Sequence, residues 1–154
     1  MRKRNIVIGA VVLVLALAGG LTYWRLSRPR LSPEEQIRAL IGRGQQAVER
    51  KDISEIMGCV SADYHDSVGQ TNLDIRRVAI GLARSPAAVE VDLRELRLEV
   101  HGSEGVVHAV VHLYITGEQD REVQGAVELR VRRERGGWKV VSSDGWQGWT
   151  EQAL

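Results

Sequence analysis

The chain has 154 residues, with 21 Lys plus Arg against 20 Asp plus Glu and a formal net charge of +1 at pH 7. Much of the small positive excess sits near the amino terminus, so nothing suggests a nucleic-acid face. Cys59 is the only cysteine, which forbids an internal disulfide. There is no C-x-x-C, H-E-x-x-H, G-x-G-x-x-G or P-loop pattern and no internal repeat; no cofactor is expected.

Met1-Arg-Lys-Arg-Asn5 precedes an uncharged, almost wholly apolar stretch over residues 6–24, interrupted only by Thr22. As a helix it covers roughly 28 Å, close to the hydrocarbon thickness of a bilayer. A cleaved signal peptide is the rival reading, because Ala16-Leu17-Ala18 has the small-x-small pattern. The apolar run continues beyond that point and ends in Tyr23-Trp24, an interfacial aromatic pair, which favours an uncleaved anchor. Arg2, Lys3 and Arg4 before the span nearly balance Arg25, Arg28 and Arg30 after it. The amino-terminal charge and the shortness of the leading tail favour the tail inside and the following domain outside.

Residues 25–31 read as a proline-broken linker that reaches about 20 Å when extended. Beyond it, about 120 residues suit one domain with a modest core. Ser32-Pro33-Glu34-Glu35 supplies an N-cap, a first-turn proline and a capping-box glutamate, so a helix begins there. Ile37, Leu40, Ile41, Ala47 and Val48 give it an apolar stripe as far as about Lys51. Asp52-Ile-Ser-Glu55 repeats the device for a shorter helix with Ile53, Ile56, Met57 and Val60 inward and Cys59 packed nearby. After a loop over residues 61–70, Thr71-Asn72-Leu73-Asp74 opens a third helix, with Leu73, Val78, Ala79 and Leu82 available to the core; Ser85-Pro86 closes it.

The period then changes from near 3.6 to 2. Val89, Val91 and Leu93 alternate with Glu90, Asp92 and Arg94, after which the apolar set slips by one residue to Leu96, Leu98 and Val100. A bulge near Arg94 and Glu95 keeps all of these on one face. A second strand carries Val107, Ala109, Val111, Leu113 and Ile115 on one side and Val106, His108, Val110, His112 and Tyr114 on the other. A third places Val123, Val127, Leu129 and Val131 opposite Glu122, Gln124, Glu128, Arg130 and Arg132. Gly136-Gly137 introduces a last strand from Trp138 toward Trp149, with Trp138 in the core. The run at 132–135 reads as a solvated strand end. The predicted fold is α+β, with three helices on one side of a curved antiparallel four-stranded meander over residues 32–149 and a short tail at 150–154.

The order of these elements, with Lys51-Asp52-Ile53-Ser54-Glu55-Ile56, Asp63-Tyr64-His65-Asp66-Ser67-Val68-Gly69 and Gly136-Gly137-Trp138-Lys139-Val140 in sequence, resembles the nuclear transport factor 2-like superfamily. That cone-shaped α+β fold includes SnoaL-like proteins and ketosteroid isomerase. The resemblance implies a pocket between the helices and the concave sheet face; it implies no particular reaction.

Asp66 aligns with the aspartate that moves a proton beside a carbonyl in isomerases of the superfamily, and is the catalytic candidate. The resemblance also calls for donors to the developing enolate, but Gly44 stands near the expected tyrosine and Glu128, near the expected acid, falls on the polar strand face. The competing reading makes Asp66 a loop residue that hydrogen-bonds the turn before Gly69. Tyr64, His65 and Trp146 are the candidate ligand-binding residues, although the alternation of Tyr64 and His65 equally suits one buried and one exposed side chain. Trp146 and Trp149 could plug the cone, line an entrance or touch the bilayer. His108 and His112 stand about 13 Å apart on a strand, too far to share a metal ion. They border a solvated sheet face that, with Tyr114, could meet a second copy or an envelope-complex partner.

Three roles follow. The first is a membrane-anchored, non-catalytic domain that binds a small apolar ligand or a protein partner. The second is an assembly subunit, since single-span proteins with this domain look like components of bacterial type IV secretion or lipid-transport complexes. The third is an isomerase or dehydratase using Asp66. The expected location is a bacterial inner membrane, with the domain on the extracytoplasmic side.

Overall fold

The computed structural model describes residues 31–118 and 120–145. The expected anchor at 6–24, most of the linker, Trp146, Trp149 and the tail at 150–154 lie outside the described residues. Among the described residues, no helix is long and apolar enough to cross a membrane.

Three helices precede four strands: α1 Pro33–Glu49, α2 Ile53–Cys59, α3 Asn72–Arg84, then β1 Ala88–His101, β2 Glu104–Thr116, β3 Arg121–Glu134 and β4 Gly137–Asp144. α1 starts on the capping box: Glu35 N donates to Ser32 Oγ at 3.2 Å and Ser32 N to Glu35 Oε2 at 2.6 Å. These bonds satisfy donors that a helix start leaves without intrahelical partners. Asp52 Oδ1 accepts Glu55 N at 3.0 Å to start α2. At α3 the Asp74 carboxylate accepts both Thr71 N at 2.9 Å and Thr71 Oγ1 at 2.8 Å. Those bonds, backbone first, hold the Asp74 carboxyl below its ordinary pKa.

The strands form one antiparallel sheet in the order β1-β2-β3-β4. Between the pairs Arg94↔Val110 and Arg97↔His108, β1 advances one residue more than β2, and Glu95 adopts φ 53°. The extra residue turns both Leu93 and Leu96 inward, so the slipped apolar pattern stays on one face. That face packs in two clusters. Ile37, Leu40, Ile41, Cys59, Val107, Val131 and Trp138 form one, and Val91, Ala109, Val111, Val123 and Val127 the other. Gly105 lets α1 approach β2, since a Cβ there would stand 3.2 Å from Ile37 Cδ1 and 3.1 Å from Val131 Cγ2.

Both sheet edges have partners, which limits further strand pairing. At β1, Gln45 Nε2 donates to Val91 O at 2.7 Å, and Val91 N donates to Glu49 Oε1 at 3.0 Å. At β4 the chain after α2 runs alongside, with Ser61 N donating to Val140 O at 2.8 Å and His65 N to Val141 O at 3.0 Å.

α3 departs from expectation. Ala79 is buried, but Leu73 and Val78, predicted to face the core, are 64% and 63% exposed. At 100° per residue they point roughly 100–120° away from Ala79, and α3 seats a narrower stripe than its apolar content suggests.

Candidate functional site

The segment joining α2 to α3 carries the catalytic candidate. Ser61 pins its start: Ser61 Oγ donates to Glu134 Oε1 at 2.7 Å and accepts Asp63 N at 3.1 Å, while Asn72 Nδ2 donates to Ser61 O at 2.7 Å. The Ser61 bond and the Arg132 guanidinium hold the Glu134 carboxyl below its ordinary pKa. The edge pairing with β4 then turns Tyr64 inward and leaves His65 exposed.

Tyr64 and Asp66 are 4% and 5% exposed. Asp66 Oδ1 accepts two backbone bonds, from Val68 N at 3.1 Å and Gln70 N at 2.8 Å. Gly69 N donates to Asp66 O at 3.1 Å, which closes the turn. Asp66 Oδ2 is reached by Tyr64 Oη at 3.4 Å, and Tyr64 Oη lies 2.5 Å from Ser143 Oγ. Burial pushes the Tyr64 phenol above its ordinary pKa, against the pull of the Ser143 bond. Ser67 Oγ bonds Asp144 and ties the loop rim to the end of β4.

This geometry binds the Asp66 carboxylate into its own loop. The partners required for proton transfer beside a carbonyl do not gather around it. Gly44 lies in α1 against Cys59, a Cβ there standing 3.9 Å from its Sγ, and Glu128 sits on the outer sheet face near His108 and Arg130. Among the described residues, inward side chains from the sheet and α1 close on one another in two clusters, and Tyr64 and Asp66 are both buried. Two open grooves lie elsewhere. One, of about 530 Å³, is lined by Gln45, Glu49, Glu90, Asp92, Arg94 and Tyr114. The other, of about 570 Å³, crosses the outer face of the sheet at Arg97, His108, Val110, Ala126, Asp144 and Gly145.

On that outer face the two histidines differ. His108 is partly exposed, with Nδ1 3.8 Å from Glu128 Oε2. His112, expected beside solvent, is 8% exposed. It stands between Asp92 and Gln124 on the flanking strands and stacks on Tyr114, ring centroids 6.5 Å apart. A central strand covered by neighbours on both sides leaves little solvent even on a polar face. Among the described residues, His112 Nδ1 has no hydrogen-bond partner; Glu122 Oε1 is 3.7 Å away.

Ser143 was not legible as a site residue. Trp138 and Val140 set an inward parity that excludes it, and it turns inward because a register shift between Arg130 and Val131 adds a residue to β4. Trp146, the remaining ligand-binding candidate, lies outside the described residues.

No family model matches the sequence, and no curated protein does. Solved structures do match. A nuclear transport factor 2-like superfamily protein from Salmonella enterica subsp. enterica serovar Typhimurium str. LT2 aligns at 13% identity over 73% of this chain and 89% of its own, with a TM-score of 0.65. A proposed scytalone dehydratase from Novosphingobium aromaticivorans DSM 12444 aligns at 13% identity over 71% and 80%, with a TM-score of 0.65. A nuclear transport factor 2-like protein of unknown function from Pseudomonas putida KT2440 aligns at 19% identity over 71% and 82%, with a TM-score of 0.61. At such identities the likeness concerns backbone architecture alone, and by that architecture the described chain has the nuclear transport factor 2-like fold.

Proposed function

We propose that this chain is a membrane-tethered, non-catalytic assembly domain. In this reading residues 6–24 hold it to a bacterial inner membrane, and the outer sheet face around His112 and Tyr114 meets a protein partner on the extracytoplasmic side. The observation that carries the non-catalytic part is Asp66: its Oδ1 accepts two backbone N–H groups, and neither open groove reaches it. A general base must present a free lone pair to substrate, and the second oxygen, Oδ2, faces the buried Tyr64 hydroxyl at 3.4 Å on a side chain only 5% exposed. Packing of Trp138 with Leu40 and the leucines of β1 favours a scaffold over capture of a small apolar ligand.

A second reading rests on Tyr64. Its hydroxyl bridges Ser143 and Asp66 Oδ2, a carboxylate and two hydroxyls in one buried cluster, and a proposed dehydratase shares the fold. One experiment separates the two. The full chain, expressed in a bacterium, is to stay in the membrane fraction through an alkaline wash and to show no bound small molecule by native mass spectrometry after detergent extraction. Release by the wash overturns the tether. A co-purifying compound, or turnover of an enolisable ketone that Asp66→Asn abolishes, overturns the non-catalytic assignment.

A further inference from the structure

Leu73 and Val78, expected in the core, stand at the surface of α3 with arginines between and beside them. At 100° per residue, Leu73, Arg77 and Arg84 fall within about 40° of one another, Arg76 lies about 60° to one side of Leu73 and Val78 about 140° to the other. All five are exposed. Ala79 points away from the middle of this arc and, with Leu82, packs on Ala47, Ile53 and Ile56. The inner side of α3 is therefore settled, and its outer side is a convex strip of roughly 16 Å that carries aliphatic tips and guanidinium groups. α3 has three arginines against one aspartate, Asp74, which Arg77 pairs at 2.8 Å. Lys51, whose Nζ donates to Ser85 O at 2.6 Å, adds a positive charge at the carboxyl end of the helix. Ahead of the helix, Val68 is 57% exposed in the turn that Gly69 N closes on Asp66 O.

We propose that this outer side of α3 lies on the surface of an anionic phospholipid bilayer, with Leu73 and Val78 entering the headgroup layer and Arg76 and Arg84 meeting phosphates. Charge and shape together name the occupant. Aliphatic tips flanked by arginines suit a boundary where hydrocarbon lies beneath a negative layer, because the tips sink while the guanidinium groups stay with the phosphates. A protein partner is the poorer match: α3 has no aromatic side chain to anchor an interface, and neither groove described above touches it. The contact rests on the tether proposed above, because a strip with so small a net charge adsorbs weakly unless an anchor keeps it near lipid.

The test uses the full chain in lipid nanodiscs with a dye on Val78→Cys; Cys59 is buried and stays unlabelled in the folded chain. A nitroxide on a shallow acyl position is to quench this dye in discs that contain phosphatidylglycerol, and to leave it bright in discs of phosphatidylcholine alone. Arg76→Gln with Arg84→Gln, at two exposed positions and with the fold checked by circular dichroism, is to lower the docked-to-free ratio on the order of 25-fold, about fivefold for each arginine. Salt at about 1 M, where the Debye length is about 3 Å, is to act in the same direction. A dye on Gln124→Cys, on the outer sheet face, is to stay bright in both kinds of disc. Quenching at position 78 that ignores lipid charge, or that is matched at position 124, overturns the proposal and leaves the tether standing. Shielding of the position 78 dye from acrylamide without lipid quenching, in discs that hold two chains, assigns the face to a protein contact and overturns it as well. A chain that leaves the discs on gel filtration overturns the tether and this contact with it.

Discussion

Asp66 and His112 are both buried polar side chains, one in the loop after α2 and one on the outer face of β2, and their surroundings treat them in opposite ways. Asp66 accepts bonds from Val68 N and Gln70 N and lies within reach of the Tyr64 hydroxyl. His112 Nδ1 has no hydrogen-bond partner among the described residues. A buried polar atom that is bonded holds structure in place, whereas one without a partner costs stability for as long as it stays buried. By this measure the Asp66 carboxylate holds its own loop in place. Among the described residues, the sheet face leaves a hydrogen bond unmade at His112 Nδ1, and the core leaves one at Trp138 Nε1.

Substitution breaks the comparison most sharply at Asp66. Asp66→Ala removes the acceptor of two buried N–H groups and is to lower unfolding stability by about 2–4 kcal/mol, while Asp66→Asn, which keeps a carbonyl acceptor, is to cost about 1 kcal/mol. Urea denaturation followed by circular dichroism measures both. An Asp66→Ala loss below about 0.5 kcal/mol would mean that the loop does not depend on the carboxylate.

A smaller effect of opposite sign is expected at the histidine. His112→Leu replaces an unpartnered nitrogen with apolar volume and is to leave stability unchanged or raise it by about 1 kcal/mol. A loss as large as that of Asp66→Ala would show that His112 is bonded in solution, and the contrast between the two regions would disappear.

The pH dependence of the loop is the finest probe. The Tyr64 phenol is raised above 10.0 chiefly by burial, so folding favours its protonated form. Below pH 10 the phenol is neutral in both folded and unfolded chains and adds no slope; as pH rises toward the folded value, the unfolded chain ionises first and stability falls. Ultraviolet difference titration is to show a late ionisation step in the native chain that Tyr64→Phe removes. A native titration without a late component would place Tyr64 in contact with solvent.

Local signals were legible wherever a residue acts on its near neighbours. Ser32 with Glu35 and Asp52 with Glu55 start their helices as cap chemistry requires, and the slip between Leu93 and Leu96 announced the bulge at Arg94 and Glu95. The α3 face was misjudged at Leu73 and Val78, because periodicity counts apolar residues without stating how wide a stripe the neighbouring helix can cover. At the candidate site, the alternation of Tyr64 and His65 into one buried and one exposed side chain could be anticipated. The contact between Tyr64 and Ser143 could not, since the two are 79 positions apart and meet only through the β4 register shift.

The sequence by itself determined the capped helices, the bulged first strand and the α+β order, because hydrogen bonds over three or four residues and a period of 2 or 3.6 are properties of contiguous chain. Only the tertiary structure decided that Asp66 is bound into its loop, that His112 is covered, and that a groove begins at Gly145. Those outcomes depend on which distant segments close over a side chain, and burial of that kind is a property of the assembled fold rather than of any stretch of residues.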